Sequence, residues 1–367
     1  MKVILIIPYN PLEEVGGLEL ATIRLAQSLL VRGYDVTIFS KGKSGNMAGV
    51  KILGFNSFPE LCAEVISRKD CDVFHWLEIF PDPGEVELQG MTAGILRALG
   101  KIVILMVATS GNLENRGNGK LAQPLLLSSF DAYVISNQDQ FHEFRACGFQ
   151  KNIHMIGFGI DPTVFAVASS EEKLALRKKL GLPAEKVLCL FIGRFVERKR
   201  PDFLLEAWAK LEDLYPHSEL IIVGSGMNQH DSIEGRVKEL INSARNVRFY
   251  EVTNEPENFF RACDLLVLPS SREGQPNVLM EMMSCGNPVI ASDIPGMNEL
   301  LSDGENGRLF PVDDQASFIE SIRDLVTNEA ERRRLGVNSR QTILNQKTFD
   351  LVVGQYIELY NSLKSGG

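Results

Sequence analysis

Short apolar runs alternate with helix-length amphipathic segments along the chain, and this alternation constrains the fold more than any other feature. The first run is Val3–Ile7, and a segment from Leu18 to Val31 with apolar residues on one face follows it. Further runs lie at Val36–Phe39, Val73–Phe74, Ile102–Val107 and Ala132–Ile135. Short runs of this kind, separated by helices, are typical of strands buried in a parallel sheet.

The alternation pauses and then resumes, which indicates two domains. Gly, Asp, Pro and Ser cluster between Phe158 and Ser170, as they do in linkers. The second set of apolar runs is Val187–Ile192, Leu220–Val223, Val247–Tyr250, Leu265–Leu268 and Val289–Ala291. We therefore predict two doubly wound α/β domains, at 1–163 and 164–346, and a final helix at 347–363. Such sheets bind ligands at the carboxyl ends of their strands.

Composition excludes several classes of protein. Of the 367 residues, 44% are apolar and 23% are charged, and the formal charge is −9, as in an ordinary acidic globular protein. Lys and Arg are outnumbered by Asp and Glu in both halves, so neither is predicted to bind nucleic acid. The six cysteines lack metal-binding or disulfide-like spacing, and no apolar run could span a membrane. We expect a cytoplasmic protein, and peripheral membrane contact through a local basic patch stays open.

A basic loop follows the first strand of the second domain. It reads Gly193-Arg194-Phe195-Val196-Glu197-Arg198-Lys199. An arginine and a lysine five residues apart, at the carboxyl end of a strand, suit a diphosphate, because Arg binds two oxygens and Lys adds a point charge. A solvated basic turn explains the loop equally well when it is considered alone.

Two glutamates flank the start of a helix after the strand Leu265–Leu268. Glu273 lies in a Gly/Pro loop, and Glu281 lies inside a helix predicted to begin near Asn277, whose N-terminal amides favour an anion. Carboxylates repel a diphosphate, so the pair makes sense if both accept hydrogen bonds from neutral hydroxyls on a ribose and a sugar. Surface glutamates at a helix start are the alternative.

The first strand-to-helix turn contains paired glycines, Gly16-Gly17, that would let the backbone approach a phosphate. A plain tight turn is the alternative interpretation of these glycines. The turn lacks the G-x-G-x-x-G pattern, which argues against an oxidoreductase that uses a dinucleotide.

Together these motifs resemble the retaining glycosyltransferases of family 4. The segments that carry the resemblance are GGLE, GRFVERK, VGSG at 223–226 and EGQPNVLMEMMSCGNPVIASDIPGMNE, with Glu273 and Glu281 matching the E-x7-E signature. The resemblance implies a GT-B fold whose C-terminal helix crosses back to the N-terminal domain. It also implies transfer of a hexose-type sugar from a UDP- or GDP-sugar to a hydroxyl acceptor, with the first domain on the acceptor side and the second binding the donor.

The resemblance assigns roles to individual residues. Arg194 and Lys199 would hold the diphosphate, Glu281 the ribose, and Glu273 the sugar hydroxyls near the reacting carbon. The remaining donor-binding residues would be Gly17, Gly193, Gly224, Gly226, Gly274, Gln275, Asn277 and Val278. No metal and no cofactor is expected, because cations and the helix dipole take the place of a metal ion.

The chain departs from the family pattern on the acceptor side. Many relatives have a histidine two residues after a threonine, and Gly111 stands at that position after Thr109. The acceptor-side candidates are His75, Ser110 and Asn112, and acceptor recognition is expected in residues 42–60 and 109–120. A half-buried structural histidine is an equally good interpretation of His75. A nucleotide-sugar epimerase of the same architecture and an inactive nucleotide-binding scaffold remain alternatives to a transferase.

Overall fold

The computed structural model describes residues 1–13, 17–80, 82–107, 128–149, 152–226 and 231–365. The chain divides into two compact units, which we call the first unit (1–159 and 349–367) and the second unit (160–348). Each contains a sheet of its own and a hydrophobic core packed on it. Within the described ranges, every helix is too short or too polar to cross a lipid bilayer.

The first unit contains an eight-stranded sheet in the order β3-β4-β2-β1-β5-β6-β7-β8. All neighbouring strands are parallel except the β3–β4 pair. The strands are β1 (Lys2–Ile6), β2 (Asp35–Lys41), β3 (Gly45–Met47), β4 (Val50–Phe55), β5 (Val73–Trp76), β6 (Ile102–Val107), β7 (Ala132–Ile135) and β8 (Ile153–Met155). The described helices between them are α1 (Gly17–Val31), α2 (Phe58–Ser67), α3 (Pro83–Ala98) and α4 (Gln138–Ala146).

The second unit contains a six-stranded parallel sheet in the order β11-β10-β9-β12-β13-β14. The strands are β9 (Val187–Ile192), β10 (Ser218–Val223), β11 (Val247–Tyr250), β12 (Leu265–Leu268), β13 (Val289–Ser292) and β14 (Arg308–Phe310). The helices are α5 (Ser170–Leu180), α6 (Pro201–Trp208), α7 (Glu234–Ser243), α8 (Pro256–Ala262), α9 (Asn277–Ser284), α10 (Gln315–Thr327) and α11 (Glu329–Gln346). Successive strands add on one side of β9 and then on the other, so a switch point lies between β9 and β12.

The last helix, α12 (Phe349–Ser365), follows the second unit in sequence but belongs to the first. Its buried face includes Tyr356 and Tyr360. The hydroxyl of Tyr356 donates a hydrogen bond to the carbonyl oxygen of Gly157 at 2.9 Å. The predicted return of the C-terminal helix to the N-terminal domain is confirmed, as is the doubly wound architecture.

Four short strands escaped prediction, namely β3, β4, β8 and β14. The segment 42–60, which we expected to be a variable loop, instead contains the β3–β4 hairpin and the start of α2. β3, β8 and β14 are edge strands of only three residues each, too short for an apolar pattern to reveal. The other expected loop, 109–120, lies outside the described residues.

Candidate active site

The loop 193–199 after β9 is fixed by hydrogen bonds to the end of β10 and to the chain just after it. The backbone N–H of Gly193 donates to the carbonyl oxygen of Val223 at 3.0 Å, and that of Phe195 donates to Ser225 at 2.8 Å. The ring of Phe195 is fully buried and packs near Phe191 in the core. The loop is therefore anchored at the point where it leaves the sheet.

The loop after β12 is held against this first loop and against the chain after β13. The N–H of Ser271 donates to the carbonyl oxygen of Arg198 at 2.8 Å. Gly296 has φ +84°, and a Cβ atom there would lie 2.0 Å from the carbonyl oxygen of Gly274. Backbone passes so close to backbone that only glycine fits at 296. The loop that carries Glu273 is thus positioned by two neighbours.

Glu273 joins the two loops through ion pairs with two cations. Its side chain is 6% exposed, and its Oε1 contacts the ammonium of Lys199, whose side chain is 13% exposed. Its Oε2 lies 3.2 Å from Nη1 of Arg198. Arg194 lies half-buried on the same loop as both cations. Two positive charges and one carboxylate therefore meet at the switch point of the second sheet, where such folds bind ligands, with Arg194 on the same loop.

The electrostatics of this cluster follow from burial and pairing. Burial opposes ionisation of Glu273, but the charges of Lys199 and Arg198 outweigh it and lower the pKa of the carboxyl below its usual value. Burial also lowers the pKa of the Lys199 ammonium, while the charge of Glu273 opposes that effect. Glu273 is thus a buried carboxylate kept ionised by its neighbours.

Helix α9 begins at Asn277, close to the predicted position, and its first turn borders the Glu273 loop. Leu279 and Met280 are buried in the core and hold the helix against the sheet. The predicted donor-binding side chains on this stretch are all half-buried: Gln275, Asn277, Val278 and Glu281. They are accessible while their helix is anchored, as a binding surface requires.

The two predicted glycines after β10 lie close to other atoms of the second unit. Gly224 has φ +147°, and a Cβ there would lie 1.9 Å from the carbonyl oxygen of Gly193. At Gly226 a Cβ would lie 2.0 Å from Oγ of Ser232, and the N–H of Gly226 donates to Glu234 at 3.0 Å. Contact with backbone therefore explains glycine at 224, whereas the atoms nearest to Gly226 belong to side chains that can rotate. The donor-binding role of both glycines stays a prediction.

Of the predicted first-unit residues, His75 is the best defined, and it lies in the core. Its side chain is fully buried, and its Nδ1 lies 2.9 Å from the hydroxyl of Tyr360 on α12. Burial lowers the pKa of the imidazole to about 3, so His75 is neutral. These observations favour the structural interpretation of His75, and its acceptor-side role stays an untested prediction.

The other first-unit predictions are less constrained. Gly17 is the exposed first residue of α1. Gly16, Ser110, Gly111 and Asn112 lie outside the described residues.

Arg198 is the member of the cluster that sequence reasoning missed. The only signal was its place beside Lys199 in the basic loop, and its partner is 75 residues further along the chain.

In the described ranges, no group of three or more His, Cys, Asp or Glu side chains could hold a metal ion.

Comparison with known proteins gives the site its family context. Residues 172–342, which carry this cluster, match the family model for glycosyl transferases group 1. The D-inositol 3-phosphate glycosyltransferase of Thermomonospora curvata is 25% identical over 406 aligned residues, covering 96% of this chain and 91% of the relative.

Solved structures share the fold along the whole chain. Sucrose-phosphate synthase from Thermosynechococcus elongatus superposes with a TM-score of 0.84 at 20% identity, with all of both chains covered. Anabaena HepE, crystallised with UDP-glucose, superposes with a TM-score of 0.82 at 18% identity, covering 98% of this chain and 99% of the other. The second unit therefore carries a group 1 glycosyltransferase domain, and the chain as a whole has the GT-B fold of the solved structures.

Proposed function

We propose that this enzyme transfers a hexose-type sugar from a nucleoside-diphosphate sugar to a hydroxyl acceptor, with retention of anomeric configuration. The observation that carries the proposal is the meeting of Lys199, Arg198 and Glu273 at the switch point of the second sheet. Cations there suit a diphosphate, and a buried ionised carboxylate suits hydroxyl groups. A nucleotide sugar offers both chemistries, a diphosphate and neutral sugar hydroxyls.

Departure of the diphosphate is the step that the cations would assist. The bond between the anomeric carbon and the phosphate oxygen breaks, and negative charge grows on the leaving diphosphate. Arg194 and Lys199 would stabilise this charge most strongly in the transition state, which is where stabilisation accelerates the reaction. These cations would take the part that a metal ion plays in other transferases, so we propose that transfer proceeds without a metal.

Retention can arise by double displacement or by same-face attack, and the pairing of Glu273 favours same-face attack. A double displacement needs a carboxylate free to attack the anomeric carbon. Each oxygen of Glu273 instead contacts a cation, which suits a role in binding sugar hydroxyls. We therefore favour attack on the face that the diphosphate leaves. The acceptor oxygen bonds to the anomeric carbon and its proton passes to the leaving phosphate oxygen.

Product analysis tests this proposal directly. UDP-glucose is the first donor to try, because HepE was crystallised with it, and inositol 3-phosphate is one acceptor to try, because the Thermomonospora relative is named for it. Proton NMR of fresh product should show the same anomeric configuration as the donor, with equal rates in EDTA and in added Mg²⁺ or Mn²⁺. An inverted linkage would refute the same-face mechanism, and activity that is lost in EDTA and restored by metal would refute metal independence.

A further inference from the structure

Arg198 joins the two site loops through its side chain and its backbone. Its Nη1 lies 3.2 Å from Oε2 of Glu273. Its carbonyl oxygen accepts hydrogen bonds from the N–H of Ser271 at 2.8 Å and from the hydroxyl of Ser271 at 3.4 Å. One residue therefore holds the loop after β12 at two points, and one of these points is Glu273 itself.

The two cations on Glu273 are not equivalent. Lys199 contacts Oε1 and is the more buried, with 13% of its side chain exposed against 27% for Arg198. Burial weakens the hold of the lysine on its proton. A guanidinium carries several N–H groups at fixed angles, which an ammonium lacks. Arg198 is thus the more permanent partner of the carboxylate.

Donor binding would change the contact partner of Lys199. Under the proposed function, its ammonium turns towards the diphosphate, so the contact with Oε1 of Glu273 weakens at that moment. A buried carboxylate without a cationic partner is strongly destabilised and takes up a proton or moves. Either change would spoil a group that must accept hydrogen bonds from the sugar. A second cation on the other oxygen prevents both.

We propose that Arg198 is a positioning residue, which keeps Glu273 ionised and in place while Lys199 exchanges its contact with Oε1 for one with the donor diphosphate. Oε1 then accepts a hydrogen bond from a hydroxyl of the sugar. The inference rests on the proposed function and deepens it. Arg198 acts through Glu273, whereas Arg194 and Lys199 act on the diphosphate.

Kinetics and nucleotide binding of Arg198→Ala and Arg198→Lys test this role. Arg323→Ala is the matched control, since Arg323 lies in the same unit and pairs with Asp213 at an exposed site. For Arg198→Ala we expect kcat to fall about 100-fold, as for a misplaced catalytic group. The Kd of the free nucleoside diphosphate (UDP, or GDP if that is the wild-type donor) should change less than about threefold by calorimetry, because its own ligands remain. Arg198→Lys should recover part of kcat, and Arg323→Ala should match wild type.

A second arm combines Arg198→Ala with Glu273→Gln. If Arg198 acts through Glu273, its removal from the Glu273→Gln enzyme should lower kcat by less than about twofold further. A further 100-fold loss, an unchanged kcat in Arg198→Ala, or a Kd that rises as much as kcat falls would each overturn the inference. If Arg198→Ala does not fold, the same comparison is made with Arg198→Lys, alone and combined with Glu273→Gln. Failure of the proposed function would look different, because wild-type enzyme would then bind neither nucleoside diphosphate and use no nucleotide sugar.

Discussion

The two sheets follow the same strand order around their switch points but use their strand ends differently. In the first unit, the side chain of Asn10 after β1 accepts from the N–H of Leu12 and donates to the carbonyl oxygen of Lys43. After β5, the backbone of Glu78 accepts from the side chain of Gln89. These hydrogen bonds use uncharged side chains, and they hold the strand ends to neighbouring loops and to α3.

In the second unit, two cations from one loop converge on a single buried carboxylate from another. Glu273 after β12 meets Lys199 and Arg198 after β9. The topology provides a crevice in both units, but only a loop sequence that carries complementary charge makes it a site for an anion. The strands and helices therefore determine the fold, and the loops at the strand ends determine the chemistry.

The two units should differ most in how the loss of one lysine from each affects sugar transfer and nucleotide binding. Lys199→Ala should raise the barrier to transfer by about 2–4 kcal/mol and weaken nucleotide binding, because a cation at the leaving group is lost. Lys41 ends β2 in the first unit, where its Nζ lies 2.7 Å from Glu85 and its side chain is 38% exposed. Lys41→Ala should leave nucleotide affinity unchanged and cost about 1 kcal/mol of stability or less.

Calorimetry with UDP and GDP, with thermal melts to verify folding, makes this comparison. Equal loss of nucleotide binding in Lys199→Ala and Lys41→Ala would contradict the assignment of the donor site to the second unit.

Two glycines with positive φ, one in each unit, allow the free energy of unfolding to be compared between the units. Gly224→Ala places a methyl group 1.9 Å from the carbonyl oxygen of Gly193, so backbone must move, and we expect a loss of more than about 3 kcal/mol. Gly33 follows α1 in the first unit with φ +81°, and a Cβ atom there would meet no other heavy atom within 4 Å. Gly33→Ala should therefore cost only about 1–2 kcal/mol, from backbone strain alone. Urea unfolding compares the two, and equal costs would show that the close approach at Gly224 relaxes easily.

The smallest expected effect is a pH dependence that belongs to the first unit. Burial lowers the pKa of His75 to about 3 from 6.5, so the unfolded chain binds this proton more readily than the folded chain. The stability that His75 contributes is fully present above pH 6.5 and is lost as the pH falls towards 3. Between pH 7 and pH 5 wild-type protein should lose about 2 kcal/mol more stability than His75→Gln. Urea unfolding at both pH values measures this, and equal losses in the two proteins would refute it.

Local patterns were enough to predict the strands that lie deep in each sheet. Val187–Ile192 and Leu265–Leu268 are continuous apolar runs, and the structure reproduces their bounds. The edge strands β8 and β14 were missed because a three-residue strand with partly exposed side chains has no readable periodicity.

Pairings between distant residues could not be read from local pattern. The partner of His75 is Tyr360, 285 residues away, and that contact, which favours a structural histidine, has no local signal in the sequence. Likewise the E-x7-E signature identified Glu273 as a candidate, but nothing in the sequence indicated that it would form an ion pair with Arg198.

The return of α12 to the first unit has a consequence for biosynthesis. About 190 residues, the whole of the second unit, are translated between the first unit's sheet and the helix that completes it. At roughly 5–20 residues per second, the ribosome needs about 10–40 s to reach that helix. During this interval His75 and Met106 lack the tyrosines of α12 that contact them in the finished protein. The nascent first unit therefore waits with an uncovered apolar face, whereas the second unit emerges as one uninterrupted segment that can fold as soon as it leaves the exit tunnel.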